Sequence, residues 1–157
     1  MTEEEKIRQE LQERFGYLSD AVAIKRKGRI FVDVPAQNFE EVFACATEQM
    51  HFDGLLTITG LDTGSDFCVI YHLVREGAII LNMKVAVPRE QAEVTTITAH
   101  FPNADIYERE ISDLLGIKVN GLAQGNRYPL PDNWPANEYP LRKDWKGHSA
   151  KKEEGNA

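Results

Sequence analysis

The chain has 157 residues, 42% of them hydrophobic, enough for one globular domain with a real core plus a modest extension but tight for two domains. A net charge of -7, with no basic stripe, excludes nucleic acid or an anionic membrane surface as the main partner. The acidic start and strand-sized apolar runs predict neither a secretory signal nor a span, hence a cytoplasmic chain with no direct membrane insertion. Cys45 and Cys68 lie far apart inside apolar runs, which fits buried free thiols in a reducing compartment.

Thr2-Glu3-Glu4-Glu5 reads as a capping box that sets acidic groups at the positive end of a helix dipole, and Ile7, Leu11, Phe15 and Leu18 follow as a stripe. Residues 21–34 predict a hairpin turning near Lys27-Gly28. Pro35 opens a second helix, with Phe39, Val42, Phe43, Ala46 and Met50 at helical spacing. Residues 55–62, 67–74 and 78–87 then read as a three-stranded meander. In its last strand Ile79, Leu81, Met83, Val85 and Val87 alternate with Asn82 and Lys84, so one face is buried and the other wetter. Pro88 is expected to start a third helix running to about Phe101, and residues 103–116 a fourth. This order predicts an α+β fold over residues 1–118: a mixed or antiparallel sheet of about five strands with helices mainly on one face.

Beyond Gly116 the pattern stops. Pro129, Pro131, Pro135 and Pro140 forbid a helix and suit an extended strap over residues 119–147, while Tyr128, Trp134, Tyr139 and Trp145 argue against disorder. Such a segment becomes ordered by lying against something larger, its own domain or a partner. Residues 148–157 are polar and expected to be disordered.

The most informative stretch is NADIYEREISDLLG at 103–116. Asp105 is expected to cap this helix with Glu108 completing a D-x-x-E box, and Gly116 to supply a left-handed stop. At 100° per residue Tyr107, Leu114, Ile111 and Ile106 form one arc, with Arg109 and Asp113 behind it as an i,i+4 pair. Glu110 falls inside the arc. Either the helix tilts so that this carboxylate reaches the rim, or a cation holds it at a boundary. A helix so short is marginal in water and must be held by the rest of the fold or by another subunit, so its charges suit recognition of a neighbour.

Chemistry is sparse. Asp62-Thr63-Gly64-Ser65 matches the D-T-G-S string of aspartic proteases, which need two such aspartates and therefore a homodimer here; a hairpin turn uses the same residues. Cys68 and His72 share a strand face but stand about 13 Å apart, too far for a nucleophile and its base. Zinc, iron–sulfur, dinucleotide and phosphate-loop motifs do not occur, which predicts no bound cofactor or metal and no catalytic residue.

Residues 93–117, followed by LPDNWP and YPLRKDW, closely resemble the 30 kDa subunit family of respiratory complex I, which includes related subunits of membrane-bound, energy-converting [NiFe] hydrogenases. The core of the resemblance is E-R-E-x-x-D-apolar-apolar-G at Glu108, Arg109, Glu110, Asp113, Leu114, Leu115 and Gly116, with L-R-K-D at 141–144. Two features depart from the family pattern: Ile106 where an aromatic is usual, and residues 121–127 where a G-H-P-x-L-R-R segment is usual. The second, with the short chain and the N-W-P to Y-P-L-R-K-D spacing, tilts toward the hydrogenase-type branch. The resemblance implies a cofactor-free subunit docked on a large catalytic subunit, of quinone-site or nickel-iron type, with an iron–sulfur subunit nearby. It implies a subunit interface at Glu108, Arg109, Glu110, Asp113, Trp134, Tyr139, Leu141, Arg142 and Trp145. A free-standing binding module whose tail folds on its own sheet is the other non-catalytic reading.

Overall fold

The computed structural model describes residues 1–76 and 78–147; the expected tail at 148–157 lies outside the described residues. Helix α1 spans Glu3–Arg14, and its capping box forms as expected: the Thr2 hydroxyl accepts the Glu5 N–H and the Glu5 carboxylate accepts the Thr2 N–H. Strands β1 (Val22–Arg26) and β2 (Arg29–Asp33) make the hairpin. Helix α2 (Phe39–Ala44) is entered by a 3-10 turn at Ala36–Asn38 and leaves through a π-turn at Cys45–Gln49. Strands β3 (Gly54–Asp62), β4 (Asp66–Arg75) and β5 (Ile79–Pro88) form the antiparallel meander.

The five strands lie in the order β1-β2-β5-β4-β3, with β2 parallel to β5, so the fold is α+β with a mixed sheet. Strand alternation sends Ile30, Val32, Leu81, Met83, Val85, Phe67, Val69, Tyr71 and Ile58 to one face, where they are buried with Ile7 and Leu11 of α1 and Phe39, Val42 and Phe43 of α2. The opposite face carries a polar ladder. Thr59 Oγ1 meets His72 Nε2 at 2.8 Å, His72 Nδ1 meets Asn82 Oδ1 at 2.6 Å, and the Asn82 amide donates to the Ile30 carbonyl at 2.9 Å.

One expected helix is absent. After a 3-10 turn at Arg89–Gln91, the chain forms a short strand, β6 (Glu93–Thr95), paired parallel with β7 (Lys118–Asn120). Val94, Thr95, Thr96, Ile97 and Thr98 are all β-branched, and stiff χ1 angles favour extended backbone over a helix. Strand β7 also crosses the expected division at residue 118. Between β6 and β7 runs α3 (Ala104–Leu115), which crosses the core face of the sheet at its β3 end.

Candidate functional site

Helix α3 ends as its sequence predicts: Gly116 adopts φ 72° and its N–H bonds the Ser112 carbonyl at 2.9 Å. Its start corrects the expectation. Asn103 is the N-cap residue and its side chain makes no cap bond; instead it donates to the Leu55 carbonyl at 3.0 Å, fastening the helix to β3. Asp105 sits in the first turn and accepts two bonds of 2.9 Å from Arg109, so Arg109 pairs backward with Asp105 and not forward with Asp113.

The buried seam is Ala104, Glu108, Ile111 and Leu115, rotated from the arc drawn on hydropathy, and Ile106 is 44% exposed. Thus the carboxylate that the interior takes in is Glu108, 1% exposed, and not Glu110. Its Oε2 accepts the Thr96 hydroxyl at 2.6 Å and its Oε1 the Ile97 N–H at 2.7 Å. Burial pushes the Glu108 carboxyl above the usual carboxylate range, and the Thr96 and Ile97 bonds offset that only in part. No cation pairs with it among the described residues. Its work here is to tie α3 to the segment after β6.

The remaining charges of α3 hold the strap. Arg109 Nη2 donates to the Ala123 carbonyl at 2.7 Å, and a Cβ at Gly125 would stand 2.9 Å from the same nitrogen, so a side chain there would shift the guanidinium. Asp113 Oδ1 accepts Arg127 at 2.6 and 3.0 Å, and its Oδ2 accepts the Leu130 N–H at 2.8 Å. Arg127 continues to the Trp134 carbonyl at 3.1 Å. The Trp134 indole N–H donates to the Glu138 carbonyl at 2.9 Å, and its ring lies 6.0 Å from that of Trp145.

Farther along, the Leu141 N–H bonds the Leu114 carbonyl at 3.1 Å and Arg142 Nε bonds the Leu115 carbonyl at 2.6 Å. The Arg142 guanidinium lies 4.4 Å from the Tyr139 ring centre and 5.1 Å from that of Phe67, with Arg89 also over Phe67 at 4.6 Å. Gly116 is required here twice over, by its positive φ and because a Cβ would come within 2.6 Å of both Tyr139 and Arg142.

Asp62 has a role that the sequence did not suggest. Its Oδ1 accepts Arg89 at 2.5 Å and the Gly64 N–H at 2.8 Å, and its Oδ2 accepts the Lys143 N–H at 2.8 Å. Burial alone would raise this carboxyl, but the Lys143 amide, Arg89 and the Gly64 amide outweigh it and hold it at about 2. A carboxylate so engaged, with its side chain 1% exposed, has no capacity to share a proton across a dimer, and the protease reading is withdrawn. Nothing local in the sequence marks Arg89, Thr96 or Arg127 either, since each acts on an acid distant in sequence. A signal for Glu108 did exist: it falls at i+4 of the series 104, 108, 111, 115.

Two of the residues assigned to an interface face outward. Glu110, half-buried and without an ion pair among the described residues, lines a groove of about 280 Å³ with Thr57 to Gly60, Ile111, Leu114, Leu115 and Leu141. Leu141 is 54% exposed at its end. Among the described residues no group of three or more His, Cys, Asp or Glu is arranged to hold a metal ion, and no helix is long and apolar enough to cross a membrane.

A mixed five-stranded sheet with its helices on one face, and a strap tied down by acids of one short helix, define an α+β protein built around that helix. Residues 32–151 match the family described as the respiratory-chain NADH dehydrogenase 30 Kd subunit, and the chain belongs to that family. It is 34% identical over 150 residues to the C/D subunit of NADH-quinone oxidoreductase from Edwardsiella ictaluri, a match covering 87% of this chain and 24% of that protein. With the protein of the same name from Shewanella oneidensis it shares 44% over 84 residues, 52% of this chain and 13% of the relative. The chain thus spans a quarter or less of the length of these relatives.

Among solved structures, a chain of the membrane-bound sulfane sulfur reductase, an archaeal respiratory membrane complex, superposes with a TM-score of 0.80 at 25% identity, covering 92% of this chain and 86% of that one. A trypsin-resistant fragment of Nqo5 superposes with a TM-score of 0.61 at 28% identity, covering 75% and 99%.

Proposed function

We propose that the protein is a cofactor-free structural subunit of a complex I-like, ion-translocating oxidoreductase, held at the cytoplasmic face of the membrane through its complex. It docks on the large catalytic subunit of the peripheral arm, beside an iron–sulfur subunit. The observation that carries this reading is the family match over residues 32–151, which takes in α3 and the strap together. The C/D relatives support it: the match covers 24% of one of them, a polypeptide whose name joins a C and a D subunit of NADH-quinone oxidoreductase.

The interface is assigned to α3 and the strap, with two kinds of residue. Glu110 and Leu141 face outward and would touch the partner directly. Glu108, Arg109, Asp113, Tyr139 and Arg142, with Trp134 and Trp145, shape the surface that is presented, through the bonds to Thr96, Ala123, Arg127, Leu115 and Glu138.

Affinity purification of the tagged chain from native extract is expected to bring down a large subunit and an iron–sulfur protein in equal amounts. Two C-x-x-C pairs at the ends of that large subunit would assign a nickel-iron centre, and their absence quinone chemistry. Leu141→Asp should lower the yield of the complex at least tenfold while leaving the isolated chain folded. A wild-type chain that migrates alone in native extract would overturn the proposal.

A further inference from the structure

The edge of the sheet next to the groove is open. Strand β3 is terminal in the order β1-β2-β5-β4-β3, runs nine residues from Gly54 to Asp62, and contains no Pro, Lys or Arg, the residues that ordinarily blunt a free edge. Antiparallel pairing uses the backbone of alternate residues. Thr63 bonds Asp66 across the turn, which places Leu61, Thr59 and Thr57 as the residues bonded to β4 and turns the N–H and C=O of Gly60 and Ile58 outward. Neither takes a backbone or side-chain partner there among the described residues. At one end the Leu55 carbonyl is satisfied by Asn103, and at the other Asp62 is held by Lys143, so the open stretch is bounded by contacts at both ends.

The side chains around this stretch describe what would fill it. Ile111, Leu114, Leu115 and Leu141 give the groove an apolar wall, and Leu56 and Leu61 are exposed on β3 itself. Among the described residues Glu110 has no ion pair and is the one charge lining the groove. Unbonded edge amides call for extended backbone, the wall for an apolar side chain, and a half-buried carboxylate for a cation.

We propose that β3 accepts a sixth strand from the large partner subunit: an extended segment in which an apolar residue enters the groove over Ile111 and Leu114, and a nearby Lys or Arg meets Glu110. This rests on the docking reading above and specifies how that docking is made.

Hydrogen exchange on the full chain, alone and within the purified native complex, separates the two. The Ile58 and Gly60 amides are expected to exchange rapidly in the free chain and to slow at least a hundredfold on assembly. Glu110→Lys should reduce recovery of the complex about tenfold or more, Glu110→Gln only a few-fold, with the melting curve of the isolated chain unchanged in both. If the Ile58 and Gly60 amides exchange equally fast in the complex while the strap becomes protected, strand addition is wrong and the docking reading stands. If the chain does not enter a complex at all, both fall.

Discussion

Helices α1 and α3 are each twelve residues long and rich in charge, yet they use that charge in opposite ways. In α1 it mostly serves the helix itself: Thr2 and Glu5 close the capping box, Lys6 pairs with Glu3, and Arg14 with Glu10. Its tertiary bonds are few, chiefly Glu4 to the Gly28 N–H and Glu3 to Arg75. In α3 only Asp105–Arg109 is local, while Glu108 and Asp113 bond residues 11 to 17 positions away in sequence. A charged helix is therefore not in itself a recognition element. What distinguishes α3 is that both of its buried acids, Glu108 and Asp113, are spent on other segments, Asp113 on Arg127 and the Leu130 N–H of the strap.

Five substitutions would break or sharpen this contrast. The largest effect is expected at the end of α3, where Gly116→Val must adopt a left-handed conformation and displace Tyr139 and Arg142. The loss should be about 3–4 kcal/mol by urea denaturation, and a value under about 1 kcal/mol would show that the strap yields at no cost. Among the described residues Arg127→Ala leaves the Asp113 carboxylate, 8% exposed, with only the Leu130 amide. It should cost about 2–3 kcal/mol and open Trp134 and Trp145 to a soluble quencher; unchanged quenching would detach Asp113 from the order of the strap.

Asp62 supplies a pH test. Its carboxyl is held at about 2 against an ordinary 3.8, a depressed value. The stability it contributes is accordingly complete above the unfolded value near 4 and is lost as pH falls through about 2, on the order of 2 kcal/mol. Asp62→Asn should lack that acid-side loss and be weaker at neutral pH; identical denaturation curves from pH 2 to 5 would sink the assignment.

Glu108 has the opposite sign. Its folded value is raised, so the folded state binds the proton more tightly and loses stability as pH rises from the unfolded value through the folded one. Glu108→Gln keeps an acceptor for the Ile97 N–H without the buried charge, and should equal or exceed wild type by about 1 kcal/mol at neutral pH. A clear loss would mean that the charge itself is required inside. In α1, by contrast, Thr2→Ala should cost only about 1 kcal/mol and leave Trp quenching untouched, because that cap serves its own helix.

Local features were legible wherever the cause was local. The α1 capping box, the hairpin at Lys27-Gly28, the meander with its alternation on β5, and the left-handed Gly116 each depend on residues within a few positions, and all four are present. Strand β6 shows the limit on the other side, because Pro88 can open a helix but the β-branched run behind it holds the backbone extended.

The sequence by itself determined the α+β class, the helix termini and the charge placed on α3, since capping, alternation and chain stiffness act between near neighbours. Only the tertiary structure decided that β2 lies parallel to β5, that Glu108 rather than Glu110 turns inward, that Asp113 holds Arg127, and that Asp62 anchors the strap. The physical reason is that a helical repeat sets angles between side chains but not the direction of the core. Ala104 and Leu115 give one apolar arc, and Ile106 and Leu114 another of similar quality. The fold buries the first arc, where the Glu108 carboxylate meets the Thr96 hydroxyl and the Ile97 amide, and leaves Glu110 of the second arc at the groove.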